Sequence, residues 1–321
     1  MKRSKQGARS QGRALLGAMA LSAAALLAGC GGGGGQIDPF KPNRIISFGD
    51  EASLITSDGR KYSVNAIDGN TNLLVCTGNP IWVQTLAATF GLVYPNCNPD
   101  KLAVPTGRMY SQVGAKVADV KAQIDSHFIS GGFTEKDLVT VMAGVNDVLE
   151  LYREYPQQGA DTLKAQADQR GRALAEQVNR IAAANGRVIL VTVPDMGVTP
   201  FALNERLTRP DTDRAKLLTE LTTAFNDALR TTIVNDGRAI GLVILDEEVD
   251  RIVKYASAYG FANVTEPVCQ STVSLPNCST RTLTTNGSVD NWLWANNILL
   301  SPAGHARLAA LAQSRAINNP F

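Results

Sequence analysis

Apolar runs of strand length alternate along the chain with stretches in which apolar residues recur at helical spacing. Residues 44–48, 138–142, 188–193 and 240–245 are short and largely apolar, the pattern of strands buried on both faces of a parallel sheet. Trp82, Leu86 and Phe90 mark a helix behind Asn79, which could cap it, and Pro80, which suits its first turn. Val113, Val117, Val120, Ile124 and Phe128 repeat at helical spacing, as do Leu174, Val178 and Ile181 ahead of Gly186. Leu217, Leu218, Leu221, Phe225 and Leu229 share one face of a further helix. A last helix opens at Ser301-Pro302 and buries Leu308 and Leu311. Five strands, each followed by a helix and joined by short links, predict an α/β domain built on one doubly wound, five-stranded parallel sheet with helices on both faces. Residues 265–291, rich in Ser, Thr and Asn, read as a long irregular excursion. In such a sheet ligands bind at the carboxyl ends of the strands, near the switch in strand order. That singles out residues 49–54, 108–115, 144–147 and 194–200.

The N-terminus follows a different pattern. Lys2, Arg3, Lys5, Arg9 and Arg13 stand with no acid among them, and an apolar run over residues 14–28 ends in Leu27-Ala28-Gly29-Cys30. This is a charged region, an apolar region and a small-residue cleavage site in order. The run falls short of the roughly 20 residues a spanning helix needs. Cysteine after Leu-Ala-Gly resembles the lipobox of bacterial lipoproteins, which implies cleavage before Cys30, lipidation of its thiol and a stable membrane anchor through several acyl chains. Gly31 to Gly35 form a flexible leash. The expected organisation is a signal peptide over residues 1–29, lipidated cysteine and tether over 30–43, and one domain over 44–321. Gly31 rather than Asp after the cysteine favours the outer membrane of a cell envelope.

Composition sets the remaining bounds. An apolar content of 44% is ordinary for a packed globule. Five of the 31 basic residues precede Cys30, so 26 remain against 29 acids, and that balance gives no reason to propose nucleic acid as a partner. Past Cys30 the cysteines are Cys76, Cys97, Cys269 and Cys278. An even number in an exported chain favours two disulfides, and proximity suggests Cys76–Cys97 and Cys269–Cys278 among the three possible pairings. With His127 and His305 the sole histidines, no C-x-x-C and no H-E-x-x-H, neither a metal nor a cofactor is expected.

The segments at the strand ends resemble the blocks of the SGNH, or GDSL-type, esterase and lipase family over nearly all of the mature chain. Ile46-Ser-Phe-Gly-Asp50 is similar to its first strand and nucleophile turn, and Gly78-Asn-Pro-Ile-Trp82 through Gly91-Leu92 to the helix that follows. Gln112-Val-Gly-Ala115 resembles the block that supplies an oxyanion glycine, and Ala143-Gly-Val-Asn-Asp147 matches the Gly-x-Asn-Asp block. Residues 191–200, Phe225-Asn226 and 259–265 with Cys269 are similar to the lipase-like branch. The resemblance implies a flavodoxin-like strand order and carboxylester chemistry.

That chemistry needs a serine after Gly-Asp, a histidine to take its proton, an aspartate to orient the histidine, and amide donors for the oxyanion. Glu51 stands where the serine belongs. Leu293-Trp-Ala-Asn-Asn-Ile-Leu-Leu-Ser-Pro-Ala-Gly-His305 aligns without a gap with the family's last block, placing Asn296 at the aspartate and Leu299 at the histidine. Leu299 cannot move a proton, and Asn296 has no charge with which to orient an imidazole. Attack by a Glu51 carboxylate on an ester would give a mixed anhydride and has no base to serve it. The oxyanion parts survive as Gly114, through its backbone N–H, and Asn146, through its side-chain amide, and Glu51 is expected to occupy them.

Each residue also has a plainer role. Asn146 would brace the turn after its strand, Glu51 would sit at a helix N-terminus, His305 would be structural, and Ser53 would point elsewhere. His127 reads as a surface or cap residue, and Trp292 and Trp294 as packing for the last block. The leading reading is a membrane-anchored, catalytically impaired family member whose cleft takes an acylated or glycan ligand or an envelope protein. An active carboxylester hydrolase rebuilt around Glu51, Asn146 and His305 is the first alternative, and a structural lipoprotein with a filled cleft is the second.

Overall fold

The computed structural model describes residues 39–234 and 237–318. The signal peptide, Cys30 and the glycine leash lie outside the described residues. Strand β1 (Arg44–Gly49) leads through a 3-10 turn (Glu51–Ser53) and a small antiparallel hairpin, β2 (Ala66–Ile67) and β3 (Leu74–Val75), to helix α1 (Trp82–Thr89). Then come β4 (Gly107–Met109), α2 (Val117–Ile129), β5 (Asp137–Met142), α3 (Val145–Arg153) and α4 (Ala160–Ala183). They are followed by β6 (Arg187–Val191), α5 (Pro200–Thr208), α6 (Arg214–Thr232), β7 (Ile240–Val243) and α7 (Leu245–Lys254). A short parallel pair, β8 (Asn263–Pro267) and β9 (Trp292–Trp294), and helix α8 (Pro302–Asn318) complete the described chain.

The main sheet runs β4-β1-β5-β6-β7, and all of its pairings are parallel. Counted within the sheet this is the 2-1-3-4-5 order expected from the resemblance, with the switch between β1 and β5. Successive strand residues point to opposite faces, and the core divides accordingly. Ile46, Val139 and Val188 pack in one cluster with Ile124 of α2, Val178 of α4 and Phe225 of α6. Ile45, Leu138 and Ile189 pack in the other with Trp82 and Leu86 of α1 and Leu308 of α8. Burial of each large aliphatic side chain contributes roughly 1.5–3 kcal/mol, so the double-sided apolar pattern is what holds the helices on both faces.

Several expectations shift in detail. The fifth strand, β4, is a three-residue edge strand of sequence Gly-Arg-Met, too short and polar to show an apolar run. Helix α1 starts at Trp82 rather than behind Asn79. Its capping comes from the Gln84 side chain, which accepts the Ile81 N–H, while Asn79 adopts a φ of 49° and donates to the Val64 carbonyl. Val113 lies outside α2 and is exposed. His127 is buried, not at the surface: its ring meets the Tyr110 hydroxyl and the Gly132 carbonyl, each at 3.0 Å, among Phe48 and Phe133. Trp294 packs on the sheet, whereas Trp292 packs with Cys269 and Cys278 in a separate small cluster. Both expected disulfides form, Cys76–Cys97 and Cys269–Cys278, with Cα atoms 5.7 and 6.0 Å apart.

Candidate functional site

The site begins where β1 ends. Gly49 has a φ of 136°, and a Cβ there would stand 1.9 Å from the Met142 carbonyl oxygen, so only glycine lets β1 turn this close to β5. Gln123 of α2 clamps that peptide from the other side. Its Oε1 accepts the Gly49 N–H at 2.9 Å and its Nε2 donates to the Gly49 carbonyl at 3.0 Å. Sequence reasoning missed Gln123, although a polar residue on the apolar face of Val120 and Ile124 was a usable signal. Asp50 then caps the short turn, accepting the Ala52 N–H at 3.0 Å. Burial, with the neighbouring Glu51 charge adding to it, pushes the Asp50 carboxyl well above the usual carboxylate range. Its Oδ2 has no hydrogen-bond partner among the described residues.

This turn aims Glu51 at the two expected donors. Glu51 Oε2 accepts the Gly114 N–H at 2.8 Å and the Asn146 Nδ2 amide at 3.1 Å. Gly114 takes a φ of 71°, a left-handed conformation that favours glycine, in the loop after β4. Asn146 stands in the first turn of α3 at the carboxyl end of β5, and it also donates to the Ala115 carbonyl at 3.3 Å. The Asn146 amide thus ties the Glu51 turn to the loop after β4.

The last block follows a different course. Asn296 Oδ1 accepts the N–H groups of Ile298 and Leu299 at 2.9 and 2.7 Å, so its acceptor is spent on its own turn. Leu299 is buried at 7% exposure and packs with the α1 and α8 side of the core. His305 is fully enclosed, with Nδ1 facing the Trp82 N–H at 3.5 Å. Burial, helped by the charge of Lys61, holds its imidazole down to about 3. Lys61 is itself buried, donates to the Cys76 and Gly78 carbonyls, and is pushed down to about 8 by burial. Ser53 points elsewhere, its hydroxyl accepting from Trp82 Nε1 at 3.1 Å.

Glu51, Asn296 and Leu299 do come together. They line one cleft of about 470 Å³. Its other walls were not legible as site residues: Tyr62, Phe201 from α5, and Gln270, Ser271, Val273, Ser274 and Leu275 inside the Cys269–Cys278 loop. His305 is not among the residues that line it. Among the described residues no group of three His, Cys, Asp or Glu side chains could hold a metal ion.

The family model described as GDSL-like lipase/acylhydrolase matches residues 53–312. The chain belongs to this family. Among solved structures, the chain is similar to a member of the lipolytic protein G-D-S-L family from Veillonella parvula. The two are 11% identical, with 85% of this chain and 97% of that chain covered and a TM-score of 0.42. A catalytic mutant of Axe2, an acetylxylan esterase from Geobacillus stearothermophilus, is 18% identical with 85% and 93% covered and a TM-score of 0.41. The lipase Lip_vut3 from a goat rumen metagenome is 13% identical with 85% and 99% covered and a TM-score of 0.44. A search of curated proteins finds no match. The match to the GDSL family model starts at Ser53, the last residue of the turn that carries Glu51.

Proposed function

We propose that this GDSL-family chain is a catalytically impaired, lipid-anchored envelope protein that binds a ligand in its cleft instead of hydrolysing it. One observation carries the reading: the Glu51 carboxylate accepts from both Gly114 and Asn146, the donors that an ester oxyanion would need. The donors are filled by the protein's own anion. The same contacts weaken Glu51 as a nucleophile, because the two donors on Oε2 draw negative charge from the whole carboxylate. No proton acceptor faces the cleft at position 299, and a rebuilt site on His305 lacks support, since that imidazole lies enclosed against the Trp82 N–H. A purely structural role finds less support, because the cleft has room for a small molecule. The lipobox-like Leu27-Ala28-Gly29-Cys30 supports tethering through Cys30, and Gly31 after it supports the outer membrane, on its periplasmic side or at the surface.

The test is activity in the purified full-length protein. Fluorophosphonate probes are expected to leave it unlabelled, and short-chain and long-chain ester turnover to stay at background. Turnover well above background that Glu51→Gln or His305→Ala abolishes would establish a rebuilt hydrolase instead. Anchoring is tested separately by metabolic labelling with a fatty-acid analogue, expected to be lost in Cys30→Ser.

A further inference from the structure

We propose that the cleft in front of Glu51 is a receptor for a neutral saccharide, whose hydroxyls donate to the Glu51 carboxylate and pair with the amide and hydroxyl side chains around it. This rests on the reading above that the cleft binds without turning over, and names the class of ligand.

Size comes first. A cleft of about 470 Å³ falls within the range of small-molecule sites, roughly 300–1,000 Å³. Charge then separates the candidates. Glu51 is the sole Asp, Glu, Lys, Arg or His side chain among the described residues that line it. A phosphate headgroup, a fatty-acid carboxylate or a uronate would enter beside an uncompensated like charge, with no cation to offset it. Sugar hydroxyls suit the same carboxylate, since each O–H donated to it makes a charge-assisted bond. The two donors on Oε2 hold that carboxylate in one orientation before any ligand arrives.

The remaining walls narrow the choice further. Gln270, Ser271 and Asn297 bring groups that both donate and accept, which matches a hydroxyl and exceeds what an alkylammonium can use, because its N–H groups only donate. Val273, Leu275, Ile298 and Leu299 also line the cleft and would pack on an acyl chain as on the C–H faces of a sugar, but an acyl chain would strip water from the polar groups and pair with none of them. Tyr62 and Phe201 add two aromatic rings, and the apolar C–H face of a pyranose packs on such surfaces. Burial and the nearby Glu51 charge push the Tyr62 phenol up, so it stays a protonated donor.

Calorimetric titration of the full-length protein with cellopentaose, xylopentaose and chitopentaose tests this. Pentagalacturonate, propylammonium and octanamide serve as the anionic, cationic and acyl probes. At least one neutral pentamer is expected to bind saturably, and Glu51→Ala and Phe201→Ala to weaken it about tenfold or more. Ser271→Trp, placed on an exposed position of the rim, is expected to abolish binding while the melting curve stays that of the parent protein. Three outcomes would overturn the proposal: none of the neutral pentamers binds, only a charged or acyl probe binds, or binding survives all three substitutions. Acetate release from acetylated versions of the same pentamers would sink the impaired-enzyme reading and leave the saccharide assignment intact.

Discussion

The two halves of the site differ from a Ser-His-Asp constellation in different ways. On the donor half, the turn at Glu51, the Gly114 loop and the start of α3 keep a polar constellation whose geometry is satisfied by an internal carboxylate. On the other half, Asn296 closes a local turn and Leu299 joins the core. One half is occupied and the other is packed. Occupancy leaves a site that a substitution can reopen, whereas packing ties the altered residue to the stability of the fold. A polar pair such as Gly114 and Asn146 can persist under this arrangement because Glu51 satisfies it, while a buried position without a catalytic partner favours a side chain that needs none.

The largest effect tests whether the packed half can hold a catalytic pair. Glu51→Ser alone is expected to stay inert, because position 299 still carries no base. Glu51→Ser, Asn296→Asp and Leu299→His together are expected to gain fluorophosphonate labelling and ester turnover at least about a thousandfold above the single variant, as triad members act as a unit. Asp at 296 can accept the same two N–H groups that Asn296 accepts now, so the turn need not change. A folded triple variant with background turnover would mean that the last block has drifted from catalytic geometry, which would break the comparison.

The next effect is on stability, and here the halves should differ in size. Leu299→Ala removes a core side chain and is expected to cost about 2–5 kcal/mol. Glu51→Ala takes away a half-buried carboxylate whose donors can turn to water, and is expected to stay within about 1 kcal/mol of the parent. Urea unfolding of the two variants decides this. Equal losses would show that Glu51 is as much a part of the packing as Leu299.

The frame of the protein was readable from sequence because burial on both faces of a parallel sheet writes itself as unbroken apolar runs. Strands β1, β5, β6 and β7 could be found this way, while β4 is three residues at an edge and leaves no such mark. The substituted positions were readable because the last block aligns without a gap, and the contact of Glu51 with Gly114 and Asn146 followed from knowing which residues stand where the oxyanion would form. The far wall of the cleft was not readable. It is built by a disulfide-closed loop held through distant backbone pairing, with the Thr280 N–H donating to the Asn65 carbonyl and the Asn65 N–H to the Cys278 carbonyl. Periodicity reports which face of an element is buried, and such a loop has no face to report. Gln123 escaped for a related reason: a polar residue on an apolar helix face signals a buried partner without naming Gly49.

The smallest effect concerns pH, and it sets one group from each half against the other. Burial holds the His305 imidazole down to about 3, from an ordinary value near 6.5, so the folded state binds its proton less readily than the unfolded chain. Its contribution to stability is present above pH 6.5 and is lost as pH falls toward 3. Asp147, beside Asn146 in α3, has its carboxyl pushed up to about 6 by burial, against an ordinary value near 3.8. Its contribution is present below pH 3.8 and is lost as pH rises through 6. Between pH 4 and 6 the two oppose each other, each with a slope of at most about 1.4 kcal/mol per pH unit. His305→Gln removes the rising contribution, so its stability is expected to fall more steeply than the parent's as pH increases across that window. Asp147→Asn removes a falling one, so its stability is expected to climb relative to the parent over the same window. Urea midpoints at pH 4, 5 and 6 measure both slopes. The raised Asp195–Asp250 pair tilts parent and variants alike and cancels in the difference, whereas Asp50, raised by burial and in part by the Asp147 charge, is relieved in Asp147→Asn and adds to the same climb. Parallel curves for parent and His305→Gln would show that the imidazole charges freely in the folded protein, which would reopen His305 as a group that solvent and ligand can reach.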